Sequence, residues 1–108
     1  MKTRFHDRHD RIDYLKACEV ARRIVDDPSL IAEARDYVET WMLTDPHQRA
    51  YALAWREVLQ LPPAEIAAAL VEDTAQGQAL RETRPAFGKG LASREVVVLL
   101  EAADAAAP

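Results

Sequence analysis

Side chains able to do chemistry are few in this chain and widely spaced. His6 and His9, with Asp7 and Asp10 beside them, are of metal-ligating types, and an i, i+3 spacing sets two imidazoles on one helical face. A four-coordinate site needs two further ligands, and no second half-site follows along the chain. The segment is therefore read as a polar N-terminus holding neither metal nor cofactor. His47 stands in the first turn of an expected helix, where the dipole disfavours a positive charge, so it is a poor general base. Cys18 falls on an apolar helix face and reads as a buried, inert thiol. Ser29 and Ser93 stand at helix starts, where serine caps, and neither lies in a nucleophile elbow. AFGKGLAS has Gly-Lys-Gly but neither the spacing of a phosphate loop nor a strand before it. The carboxylates follow solvent faces, Arg35 and Glu39 being an ordinary i, i+4 pair. No constellation reads as an active site, and the expectation is a protein that is not an enzyme.

The elements carrying these residues read as helices. Only three glycines occur in 108 residues, too few for a hairpin-rich β protein. Asp45-Pro46 is a helix start and Pro62-Pro63 a stop. Between them Ala50, Tyr51, Leu53, Ala54, Trp55, Val58, Leu59 and Leu61 leave only Arg49, Ala52, Arg56 and Gln60 on a wet arc. A helix apolar over so much of its circumference is expected to have neighbours on two sides, as the hub of the domain. Before it come an amphipathic helix over 10–26 and a second, from the Asp27-Pro28 start to about Met42, with the stripe Leu30, Ile31, Ala34, Tyr37, Val38 and Trp41. After it come AEIAAALVED, a short helix through Leu80 capped by Asp73 or Thr74, the irregular RPAFGKGL, and a helix capped by Ser93. Val96 to Leu100 is apolar on every side, either buried all round or meeting another molecule. The fold expected is all-α: one domain of five to six helices around a central helix at 45–61, spanning 10–105 after a loose lead-in at 1–9.

Charge and motifs narrow the partners. Residues 1–25 carry seven Lys and Arg against four Asp and Glu, a net +3, which leaves −7 for the rest of a chain at −4 overall. DNA contact through Arg4, Arg8 and Arg11 stays open, less favoured than a solvated helix face. LPPAEIAAALVED resembles the first half of a helix-turn-helix, but TAQGQALRET offers Gln76 and Gln78 and no arginine until Arg81, and Glu72, Asp73 and Glu82 would face phosphates. Tyr37, Trp41, Tyr51 and Trp55 are read as core. No apolar run approaches a membrane span, the N-terminus is too polar for a secretory signal and Cys18 is alone, so a cytoplasmic protein without a membrane partner is expected.

DPSLIAEARDYVETW, then YALAW, LPPAEIAAALVED and LRETRPAFGKGLASREVVVLL together resemble, over about residues 21–100, small all-helical bacterial antitoxins. These are encoded beside nucleotidyltransferase-like toxins of the abortive-infection type. The chain departs from that pattern at Ala86, between Pro85 and Phe87, and at Val97 to Leu99, where the pattern carries an aromatic. The resemblance implies a protein that binds and neutralises a cognate toxin, with contacts expected at Arg81, Arg84, Phe87, Leu91, Val97 and Leu100. A homodimer remains open, and a DNA-binding regulator is the alternative.

Overall fold

A computed structural model describes residues 2–88 and 93–106. Those residues form six α-helices and no strand: α1 (Arg8–Asp26), α2 (Ser29–Tyr37), α3 (Arg49–Val58), α4 (Pro63–Val71), α5 (Ala75–Glu82) and α6 (Ser93–Ala106). The all-α bundle expected from the periodicity is present. Its radius of gyration is 13.9 Å.

The start signals work through carboxylate and hydroxyl oxygens. Asp7 caps α1 by accepting from the Asp10 amide at 2.8 Å, which starts the helix two residues before the expected position. Asp27 accepts from the amide and the hydroxyl of Ser29. Thr74 accepts from the Gly77 amide at the head of α5. Asp45 behaves differently: it accepts from the His47 amide and the Gln48 side chain, both at 2.9 Å, and so closes a turn from which α3 emerges at Arg49. Residues 2–6 fold back onto α1, where the Lys2 amide donates to the Tyr14 hydroxyl and the Phe5 and Tyr14 rings meet at 5.7 Å.

The hub is α1, not the helix at 45–61. It packs along α4 and also touches α6, α2 and α5, whereas α3 rests mainly on the end of the second helix. The physical reason lies in side-chain size. Ala17 and Ala21 on α1 and Ala67 on α4 are buried, and such small residues let the two axes come close along their length. The aromatic bulk of α3 instead requires room; Ala52, Trp55 and Leu59 point inward, and Val58 packs against the core from its edge. Ala52, expected on the wet arc, is fully buried, while Tyr51 and Leu53 are 50% and 45% exposed. Trp55 itself is buried at the centre, donating its indole N–H to the Thr83 hydroxyl at 3.1 Å.

The second helix holds a further departure. After Tyr37 it widens into a π-helical turn, Val38–Met42, closed by the Leu43 amide donating to the Val38 carbonyl at 2.9 Å. An i→i+5 turn carries one more residue than an α turn, so Met42 takes the inward place above Val38. Trp41, expected in the buried stripe, is 65% exposed.

Helix α6 runs antiparallel to α1, tied by Arg23 to Glu95 at one end and by Arg8 to Asp104 at the other, at 2.6 Å. It is not buried all round. Val96, Leu99 and Leu100 are half-buried, while Val97 and Val98 face solvent.

Candidate interaction surface

The exposed aromatic pair Tyr37 and Trp41 forms one wall of a shallow recess. Ala86 and Gly88 form the other wall, and Glu33 and Asp36 stand at its rim. Two features of the sequence build it. The π turn brings Trp41 outward. Gly88, at φ +80°, lets the chain pass tightly over α2: a Cβ there would stand 2.7 Å from a Glu33 carboxylate oxygen and 2.8 Å from Leu30 Cδ2. The preceding residue anchors the crossing from beneath, since Phe87 meets Trp55 edge-on at 5.9 Å and 66°. The opposite flank of the second helix is closed by a two-bond ion pair, Glu39 with Arg56, at 2.8 and 2.9 Å. The guanidinium of Arg56 holds the Glu39 carboxyl below the usual range. Glu39 is therefore not paired with Arg35, which instead donates to the Leu59 carbonyl at 2.6 Å and closes the C-terminus of α3.

A second, polar recess lies between α1 and α5, lined by Asp10, Asp13, Tyr14, Gln78, Arg81 and Arg84 among others. Most of these groups are already occupied. Arg81 donates to the carbonyls of Leu70 and Glu72 at 3.1 and 2.8 Å, capping α4, while its guanidinium stacks 5.0 Å over the Tyr14 ring. The Tyr14 hydroxyl donates to the Val71 carbonyl at 2.8 Å. Asp10 accepts from the His6 amide at 2.9 Å and pairs with Lys2; the His6 bond is the main cause of a depressed carboxyl pKa. Arg84 is half-buried, and burial lowers its guanidinium against the pull of Asp13. This is a set of helix clamps, with no nucleophile hydrogen-bonded to a base.

The residues expected to meet a partner are thus dispersed. Arg81 is a clamp between α4, α5 and Tyr14. Phe87 is 8% exposed and belongs to the core, so it cannot serve as a surface anchor; the edge contact with Trp55 holds it inward. Leu91 lies outside the described residues. Val97 and Leu100 lie on α6, with Val97 half exposed. The other candidates resolve similarly. Cys18 is half-buried, and burial raises its thiol pKa. His9 contacts Asp13 at 3.3 Å, and among the described residues no group of three His, Cys, Asp or Glu gathers to hold a metal. Helices α4 and α5 do meet across a short turn, but Gln76, Gln78, Ala79 and Glu82 face outward while Arg81 turns in. Arg8 is engaged by Asp104, and Arg11 stacks on Phe5 at 5.1 Å. None of the described helices is long and apolar enough to cross a membrane.

Reasoning from periodicity missed the recess, because it placed Tyr37 and Trp41 inside. One signal was available: Trp41 stands three residues after Val38, and a stripe that also holds Met42 offers two candidates for one inward place. No protein-family model, curated protein or solved structure matches this chain.

Proposed function

We propose that this chain is a protein-interaction module that acts by docking rather than by catalysis. The observation that carries the reading is Trp41, 65% exposed beside Tyr37 in a domain otherwise able to bury a tryptophan completely. Leaving an indole in water forgoes stabilisation that burial would have supplied, and aromatic residues of this kind supply a large share of interface energy. The π turn that presents it is a rare element, found disproportionately at functional positions.

The charge around the recess narrows the partner. Glu33 and Asp36 line the recess together with Tyr37 and Trp41 on a chain of net charge −4, which fits a partner surface that offers basic groups beside an apolar one. A cleft that handles nucleotide phosphates has that character. This complementarity agrees with the antitoxin-like pattern of the sequence, in which a bacterial, cytoplasmic helical protein covers the substrate cleft of a nucleotidyltransferase-like toxin. Docking through Tyr37 and Trp41 replaces the contact set expected around Phe87. Engagement of Arg8 and Arg11 within the chain supports a protein partner over DNA.

The test is to co-express the chain with the product of the gene beside its own and to titrate the purified pair. A complex is expected, and Trp41→Ala should weaken it by about thirtyfold or more, the effect of losing an interface hot spot of about 2 kcal/mol. Circular dichroism should be unchanged. Equal affinity for the variant would remove Trp41 from the interface, and a neighbouring product that neither binds nor harms cells would remove the antitoxin reading.

A further inference from the structure

Helix α3 buries one side, through Ala52, Trp55 and Leu59, and leaves an apolar side uncovered. Ala50, Leu53 and Ala54 lie there, with Leu61 one turn beyond; Leu53 is 45% and Leu61 41% exposed. Two helical rows shape that side. Arg49, Leu53 and Glu57 fall on one i, i+4 ridge, and Ala50 and Ala54 on the next, where small side chains leave a groove. The ridge is self-complementary: its ends carry opposite charges equally spaced from a central leucine. Among the described residues neither Arg49 nor Glu57 forms a salt bridge; Glu57 lies near Arg56 and favours its charge, but Arg56 is bonded to Glu39.

We propose that α3 pairs antiparallel with α3 of a second copy about a two-fold axis near Leu53. Rotation about that axis sets Arg49 against Glu57 of the second copy, and Glu57 against its Arg49, so two ion pairs form at once. Each Leu53 enters the groove between Ala50 and Ala54 of the other chain. The charge order argues for a second copy, because an unrelated partner would have no reason to match a ridge that is its own complement. The pairing uses a different helix from the docking recess and stands independently of it.

The experiment is sedimentation velocity across a concentration series on the full chain, with circular dichroism as the control for folding. The chain is expected to be dimeric at about 100 µM, with Leu53→Asp converting it to monomer. Arg49→Glu and Glu57→Arg should each weaken the dimer by about tenfold, since two symmetric pairs turn repulsive, and the double reversal should restore it. A chain monomeric at about 100 µM overturns the proposal. So does a dimer indifferent to Leu53→Asp, or a double reversal no better than the single ones. Trp41→Ala should leave the dimer intact, so failure of the docking reading and failure of this one give different results.

Discussion

The two tryptophans offer a direct measurement of how the fold divides its aromatic residues. Trp55 is fully buried, touches Phe87 edge-on and donates to Thr83. Removing about 250 Å² of aromatic surface from water is worth about 6 kcal/mol at about 25 cal/mol per Å², an upper bound because unfolded chains already cover part of it. Trp→Ala in a core costs about 3–5 kcal/mol. Trp41, at 65% exposed, has only about a third of the same surface covered, which bounds its contribution at about 2 kcal/mol. For a domain of this size each kcal/mol shifts Tm by about 4–8 °C, so at the low end of that conversion Trp55→Ala should lower Tm by at least about 12 °C and Trp41→Ala by no more than about 8 °C. Fluorescence adds a reading that does not depend on stability. Trp41→Phe leaves one indole, which should emit to the blue and resist acrylamide quenching; Trp55→Phe leaves one that should emit as if in water and quench readily. Equal Tm losses for the two alanine variants, or a shielded Trp41, would refute the π turn as the device that presents this side chain.

Three further changes test the parts that hold the helices. Arg81→Ala should destabilise the fold by about 1–2 kcal/mol in a urea melt, chiefly by freeing the part-buried Leu70 carbonyl, since water can reach that of Glu72. Arg81→Lys should recover little, because an ammonium cannot bridge two carbonyls and stack flat on Tyr14. Gly77→Ala reverses the sign that helix propensity gives. Propensity favours alanine by about 1 kcal/mol, yet its Cβ would stand 2.1 Å from the Glu72 carbonyl oxygen, so a net loss of stability is expected in the same melt. Asp10 tests acid stability. Its carboxyl is depressed in the fold, so its contribution is complete above the unfolded pKa of about 3.9 and disappears as pH falls through the lower folded value. Asp10→Asn should therefore flatten the loss of Tm below about pH 4 while costing some stability at neutral pH.

Much of the fold was legible because the chain punctuates its helices strongly. Asp27-Pro28, Pro62-Pro63 and Thr74 each mark a boundary that the structure keeps, since proline and a short polar oxygen act on the backbone within a single turn. What was not legible is longer in range. Within 38–42 the sequence shows only that Trp41 and Met42 compete for one inward place; which of them takes it is settled by tertiary packing. Phe87 shows the same limit in the other direction. Its place in the irregular RPAFGKGL set Phe87 among the expected partner contacts, but the deciding fact is a ring from α3 more than thirty residues earlier.

Helix α3 carries the more general lesson. Apolar residues on most of its circumference imply that water is unfavourable on most of its circumference, and that inference is sound. The further step, that the cover must come from the same chain, does not follow. In this domain the longest helix takes the central position, with Ala17 and Ala21 letting α4 come close between the larger buried side chains Tyr14 and Ile24. A helix bearing Trp55 and Tyr51 is too bulky to be surrounded by the short helices that remain, so it packs on one face and keeps the other. The uncovered side, with a positive residue at one end of its ridge and a negative one at the other, is where the proposed second copy would dock. A polar substitution at Leu53 tests that conclusion directly. If apolar excess on α3 were merely tolerated, Leu53→Asp would leave the oligomeric state of the chain unchanged; if it is a contact, the oligomer is lost while the helix content stays.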